Sequence, residues 1–509
     1  MKKNKSSSIH SSILMRPSLT LNALSNLATL AVAVLVGFLL TPFVIKHLGK
    51  TGYGIWTLII SIIGYYGILD LGVSSAITRY VARYTAKKDN GALNETINTS
   101  LAIFFFLGFF IVIASFLLAD PLSFFFKIPI DKNLEFKQTV WLLGIATGLG
   151  FPGRIFGAVI RANERFIASN IIIIFVNVVR ALIIVLLLSK GFGLIGVGFA
   201  YLISTLLLIF FNYILFRMLF NHIKIQLSSV SLTMVRLILG FGAATTVAFI
   251  ADIMRFNLDS FVIGKWIDLN SVAVYAISAL IVRYFLQIIA QSTQVIFTPR
   301  FAAIDGQGNR DQLQRLFIKS LSVASFLSFG LGSLIIILGT RFIVLWVGAD
   351  FLEAAPVLAI LTFSYSIALS QATGIALMYA LKKHYLFAGA SIIEGIANIG
   401  LSIYLAPRYG IVGVAVGTAV PMLVIKLFVQ PVYVSRIVGI PLLRYFRQLA
   451  PAFGLAIIVV FIGKNLPNII SFENGYISLV FSALPYLMAF ILLYVLDRMF
   501  VKRKRSQEI

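Results

Sequence analysis

Apolar runs of 18 or more residues recur along the whole of this chain, separated by short polar stretches. A bilayer core takes about 20 apolar residues per helical crossing. Fourteen such spans are expected, near 20–45, 54–78, 96–119, 138–160, 167–189, 193–216, 237–264, 271–297, 317–339, 354–381, 385–405, 411–434, 449–463 and 475–497. The thirteenth is short and the end of the seventh is indistinct. The expected fold is an all-α integral membrane protein of about 14 transmembrane helices, with both termini on one side. Every connecting loop is short, the longest lying around 120–137, 217–236, 298–316 and 340–353, which leaves no room for a soluble catalytic domain.

Charge fixes the expected orientation. The chain holds 42 Lys and Arg against 18 Asp and Glu, a net +24. In a soluble protein that balance would point to nucleic acid, but here the basic residues follow the loops. With the N-terminus inside, inner segments carry 27 basic residues and outer segments 10, as the positive-inside rule requires. The first 18 residues, MKKNKSSSIHSSILMRPS, read as a cytoplasmic tail, because no small-residue cleavage site follows the first apolar run. KRKRS (502–506) reads as a juxtamembrane tail facing anionic lipid. The absence of Cys excludes disulfides, thiol chemistry and Cys-ligated metal.

The chain also repeats itself. GLIGVGFA (193–200) matches GIVGVAVG (410–417), and at the same offset the spans 167–189 and 385–405 superpose. More weakly, HLGKTGYGIWTLI (47–59) is similar to WIDLNSVAVYAISAL (266–280). Two six-helix lobes in parallel orientation follow, at 20–216 and 237–434, joined by a cytoplasmic linker at 217–236. They are flanked by a basic tail at 1–19 and by two further helices and a basic tail at 435–509. Parallel repeats are a transporter feature, with the substrate path near the midplane.

A charged side chain at mid-span costs about 2.5–3.5 kcal/mol on insertion scales and asks for a partner or a water-filled cavity. The candidates are Arg154, Arg180, Asp252, Arg255, Arg283, Glu394 and Lys426. Arg154 sits between GFPG and IFG, where Pro152 and the glycines open the backbone. Basic residues outnumber acidic ones in this set, so an anionic ligand is expected, and the planar fork of arginine suits phosphate. The rival expectations are internal pairing, such as Arg180 or Arg283 with Glu394, and snorkelling of Lys426 to the inner surface. Asp70 falls near mid-span, and Arg79 and Arg83 stand one turn apart at the inner exit, as a cytoplasmic entrance or as positive-inside charges. The four His have no metal-ligand spacing, and no Walker loop, nucleophile elbow or paired-carboxylate pattern occurs. No enzyme activity, metal or cofactor is therefore expected, and no nucleic acid partner.

In ADIMRFNLDSF (251–261), Asp252, Arg255 and Asp259 take positions i, i+3 and i+7, one stripe of a helix. The 15 uncharged residues before them span only about 23 Å, short of the hydrocarbon core, so the helix is expected to continue through Arg255. The spacing lets Arg255 bridge both acids, as a gating or ion-coupling element or as a structural clasp.

VIKHLGKTGYGIWTLIISIIGYYGILDLGVSSAITRYVARY (44–84), VIRANERF (159–166) and NLDSFVIGKWIDLNSVAVYAISAL (257–280) resemble the polysaccharide-export flippases. These form the O-antigen translocase group of the multidrug/oligosaccharidyl-lipid/polysaccharide exporter superfamily. The carriers are Gly49, Gly52, Tyr53, Gly54, Asp70, Leu71, Gly72, Arg79 and Arg83, with Asp259 at the family's usual carboxylate, and the resemblance covers roughly residues 20–434. It implies a two-lobed fold with a cationic central cavity in a bacterial cytoplasmic (inner) membrane. It also implies alternating-access movement of polyprenyl-pyrophosphate-linked oligosaccharide repeat units to the outer leaflet, for surface polysaccharide such as O-antigen or capsule. Arg154, Arg180, Arg283 and Lys426 would then bind pyrophosphate or sugar. Asp252, Arg255, Asp259, Glu394 and Asp70 would gate or couple H⁺ or Na⁺. A polysaccharide polymerase and chain-length proteins would be partners. The alternatives are a cation-coupled multidrug exporter, a peptidoglycan lipid-precursor flippase and a polytopic polymerase or ligase. Against these stand the arginine excess, the lack of charge between Arg16 and Lys46, and the lack of a long outer loop.

Overall fold

A computed structural model describes residues 19–383, 385–465 and 475–507; the side chains of 19, 20, 23, 227, 243–257 and 496–507 lie outside the described residues. Every regular element among the described residues is helical, with no strand. The chain divides into two compact units, Met1–Ile253 and Met254–Ile509.

The first unit holds α1 (Leu19–Tyr65), a 3₁₀ turn (Tyr66–Asp70), α2 (Val73–Lys87), α3 (Asn90–Phe125), α4 (Ile130–Ala162), α5 (Phe166–Ser189), α6 (Gly193–Leu219) and the start of α7 (Leu232–Trp266). The second holds the end of α7, then α8 (Leu269–Gly306), α9 (Arg310–Val347), α10 (Ala354–Leu369), α11 (Ala372–Ala380) and α12 (Tyr385–Val424). A π turn (Ile425–Val429), α13 (Gln430–Val438), α14 (Leu442–Asn465) and α15 (Tyr476–Gln507) complete it.

Among the described residues ten helices are long and apolar enough to cross a membrane, or eleven if α10 and α11, bent by 42°, form one span. This multi-pass all-α architecture is the one the apolar runs predict; a count of fourteen is not fixed by it. Two of the long helices each carry a pair of the expected spans, because each is kinked at a single glycine. Gly49 (φ 70°) breaks α1 and Gly410 (φ 56°) breaks α12, a backbone conformation open to glycine and strained for other residues. Gly193 and Gly410, which open the two matching octapeptides, hold φ of 54° and 56°.

The polarity is that of a protein in lipid. On α3, Phe105, Phe106, Phe109 and Phe110 are exposed while Thr96, Thr99, Ser100 and Ser115 are buried. Small residues let helices approach closely where no water is present to drive them together. A Cβ on Gly148 of α4 would sit 2.6 Å from the Gly108 carbonyl of α3, so the two backbones touch. One turn earlier on α4, Gly144 packs on Ser115, whose Oγ lies 2.9 Å from the Tyr66 hydroxyl. That contact fixes the 3₁₀ turn at the point where α1 ends.

Candidate functional site

Asp70 and Arg154 meet in the first unit. The span expected at 54–78 does not run through as one helix. After the 3₁₀ turn, Leu71 (φ 50°) and Gly72 (φ 70°) are left-handed, and α2 restarts at Val73. Breaking a helix within a membrane frees backbone groups that need partners. Asp70 supplies one: its carboxylate accepts from Ser74 N at 3.1 Å and from Ser74 Oγ at 2.6 Å. Gly242 of α7 packs on the Leu71 carbonyl so closely that a Cβ there would collide with it. Arg154 Nη1 donates to Asp70 Oδ2 at 3.4 Å, and its guanidinium lies 4.3 Å from the Phe151 ring centre. The Arg154 side chain is 43% exposed and that of Asp70 15%. The sequence reading set Arg154 among arginines without an acid; the break brings it one.

Arg79 and Arg83 are exposed on α2, in a stripe with Ser75 and Lys87, while Val73, Ala76, Ile77, Tyr80 and Val81 are buried. The Arg79 guanidinium lies 4.5 Å from the ring centre of Phe241. Arg180 of α5 is half-buried, donates to Asn177 Oδ1 and stacks over Tyr201 of α6 at 4.7 Å.

The second unit places Asp259 in a buried oxygen cluster. Tyr275 of α8 donates its hydroxyl to Asp259 Oδ2 at 2.5 Å. Thr418 Oγ1, past the Gly410 break of α12, lies 3.0 Å from both carboxylate oxygens and 3.2 Å from Asn398 Oδ1, which in turn accepts from Ser402 at 2.9 Å. The reversal at Gly410 is what brings Asn398 and Thr418 together, and Gly417 packs directly on Ser402. Asp259 makes no salt bridge with another described residue. It lines a cavity of about 30 Å³ with Tyr275, Thr418, Tyr365 and Arg283, room for one or two waters or a small cation. Arg283 is exposed at mid-helix in α8 and makes no hydrogen bond or ion pair with another described residue. The sequence reading missed Tyr275, Asn398 and Thr418. Their signal was faint: polar side chains in apolar runs, with Asn398 and Ser402 one turn apart.

Glu394 is buried on α12, one turn before Asn398. Lys426 does not snorkel: it is 2% exposed, donates to Gln430 at 2.9 Å and lies 4.4 Å from the Phe387 ring centre. α7 is continuous through 252–259, as the short apolar run requires, but the side chains of Asp252 and Arg255 lie outside the described residues. Among the described residues no group of three or more His, Asp or Glu is placed to hold a metal. The hydroxyl, amide and carboxylate oxygens around Asp259 suit a proton or a hard monovalent cation.

The model of a family described as "Polysaccharide biosynthesis protein" matches residues 23–356. The chain belongs to this family. The resemblance to polysaccharide exporters read from residues 44–84 is thereby borne out. A Shigella flexneri protein provisionally named as an O-antigen transporter is 22% identical over 428 residues, 82% of this chain and 98% of its own. The uncharacterized membrane protein EpsK of Bacillus subtilis (strain 168) is 22% identical over 434 residues, 82% of this chain and 84% of its own. Among solved structures, the lipid II flippase MurJ in an inward closed conformation superposes with a TM-score of 0.73 at 15% identity, covering 96% of this chain and all of its own. An inward-facing multidrug resistance MATE transporter of the MOP superfamily gives 0.70 at 15% identity, covering 82% of this chain and 98% of its own. The family member therefore has the fold of MOP-superfamily transporters.

Proposed function

We propose that this chain is a flippase that moves a polyprenyl-diphosphate-linked oligosaccharide from the inner to the outer leaflet of a bacterial cytoplasmic membrane, for surface polysaccharide assembly. The family and the transporter fold support this class over an enzyme. The observation that carries it is Arg283: an exposed guanidinium at mid-span that makes no ion pair with a described residue, although Asp259 lines the same small cavity. A cation held in that position needs water or an anionic guest, and arginine matches the diphosphate by its fork. Arg154, a partly exposed span arginine, joins it; half-buried Arg180 is offered to the diphosphate or to the sugar, and Arg79 and Arg83 form a basic stripe toward the expected cytoplasmic side.

The reading is alternating access, with these cations offered first to one face of the membrane and then to the other. An anion moving outward across an inside-negative membrane gains about 2.3 kcal/mol per charge per 100 mV. Resetting would use H⁺ or Na⁺ bound at Asp259, Thr418 and Asn398, with Glu394 nearby on the same helix. The polymerase and chain-length proteins of such a pathway would take up the product.

The test is single replacement of Arg180 and Arg283 by Ala in cells, with surface polymer measured at matched protein level. Loss of polymer, partly restored by Lys, is expected; normal polymer from both Ala variants sinks the reading.

A further inference from the structure

Arg180 is tied to two aromatic rings that the diphosphate reading leaves unexplained. Its guanidinium stacks over Tyr201, and the Tyr201 ring meets Trp56 with ring centres 5.1 Å apart at 58°. A guanidinium nitrogen also donates to Asn177, one turn earlier on α5. Three helices of the first unit build the group. Trp56 lies seven residues past the Gly49 break, Tyr201 eight past Gly193, and Arg180 nine before Ser189. At 1.5 Å per residue these are depths of about 10–14 Å from the same end of the unit, so Trp56, Tyr201 and Arg180 stand level, with Asn177 one turn deeper.

Trp56 and Tyr201 are half-buried, and neither the indole N–H nor the phenol O–H makes a hydrogen bond to another described residue. Tyr and Trp usually find such partners when enclosed. In hydrocarbon these donors, and the arginine with them, would each be costly. An interfacial aromatic anchor accounts for a lone Trp or Tyr but not for a guanidinium seated on the ring.

The chemistry selects the ligand. Ring faces carry negative potential, which opposes a phosphate and suits the C–H face of a sugar ring. A guanidinium and an amide side by side match the vicinal hydroxyls at the sugar's edge. An organic cation is disfavoured, because Arg180 already occupies a face of Tyr201. We infer that Trp56, Tyr201, Asn177 and Arg180 form a saccharide subsite, so that Arg180 holds the glycan of the substrate and not its diphosphate. The inference rests on the flippase reading above and assigns its parts.

The experiment uses full-length protein in nanodiscs and two probes: a polyprenyl diphosphate carrying one N-acetylglucosamine, and the same lipid without sugar. Trp141, Trp266 and Trp346 are replaced by Phe, so that Trp56 is the sole tryptophan, excited selectively over tyrosine. The glycosylated lipid is expected to change Trp56 emission and the bare lipid is not. Tyr201→Leu and Asn177→Ala should weaken binding of the glycosylated lipid about tenfold and leave the bare lipid unchanged, which also reports that the variants fold. Equal binding of the two lipids by the parent protein overturns the subsite, as does equal weakening of both lipids in the variants. Binding of neither lipid overturns the flippase reading itself.

Discussion

Arg154 and Asp70 form an ion pair across the break in the second span: Nη1 lies 3.4 Å from an oxygen that also accepts from Ser74. Asp70 therefore has two tasks, capping α2 and neutralising an arginine. An anionic substrate that takes Arg154 competes with the second task and leaves the first intact. Asp70→Asn keeps an oxygen for the cap and removes the charge. It should tighten binding of a bare polyprenyl diphosphate roughly two- to fivefold, the range of a partly exposed ion pair. Arg154→Ala should weaken it. Unchanged affinity in Asp70→Asn would show that Arg154 does not meet the diphosphate.

Asp259 is held by Tyr275 and Thr418, Thr418 also meets Asn398, and Asn398 accepts from Ser402, a set of oxygens with one carboxylate. If this set binds the coupling cation, Asp259→Asn abolishes the ion dependence of transport in proteoliposomes. Thr418→Val removes one oxygen and should raise the Na⁺ concentration for half-maximal transport about tenfold. With a proton as the coupling ion, Thr418→Val leaves the Na⁺ response flat and moves the pH profile. Wild-type ion dependence in Asp259→Asn rules out coupling at this cluster.

The membrane spans and the arginines within them were legible because hydropathy and charge are local properties of the chain. What was not legible is what the breaks bring together. Asp70 and Arg154 are distant in sequence and meet only because a 3₁₀ turn and two left-handed residues end α1 there. Thr418 reaches Asn398 because Gly410 reverses α12 between them, and one glycine in a glycine-rich run carries no mark of its backbone angle. Buried hydroxyls and amides were passed over for the same reason. A single Thr or Asn barely lowers the mean hydropathy of an apolar run, and only the fold shows whether it faces a carboxylate.

Gly108 and Gly148 place the backbones of α3 and α4 in contact. A side chain at either position pushes the helices apart along an interface that also carries Gly144 on Ser115. Gly148→Val should lower the thermal midpoint in detergent, by the equivalent of about 1–3 kcal/mol for overpacking, and reduce the yield of folded protein. Gly240→Ala serves as the comparison, since nothing lies within 4 Å of a Cβ there. Equal midpoints for the two variants would mean that the close approach is not limiting for stability.

Lys426 belongs to a clasp between two interrupted helices. The break between α10 and α11 frees backbone groups at Gln371, and the π turn at Ile425–Val429 frees others beside Lys426. The Gln371 amide donates to the Lys426 carbonyl at 3.0 Å, and the Gln430 amide donates to the Gln371 carbonyl at 3.1 Å. Tyr445 of α14 donates to Gln371 Oε1 at 2.9 Å. Each glutamine thus fills the gap opened by the other's helix. Gln371→Ala leaves buried groups unsatisfied and should cost about 1–3 kcal/mol per group, read as a lower thermal midpoint. Lys426→Met keeps both amide clasps and fills a buried site with an unbranched apolar chain of similar length, so its loss should be smaller. Because Lys426 is enclosed, Lys426→Met should bind a bare polyprenyl diphosphate as the parent does. A loss of binding comparable to that of Arg154→Ala would return Lys426 to the substrate site and require that the clasp opens during transport.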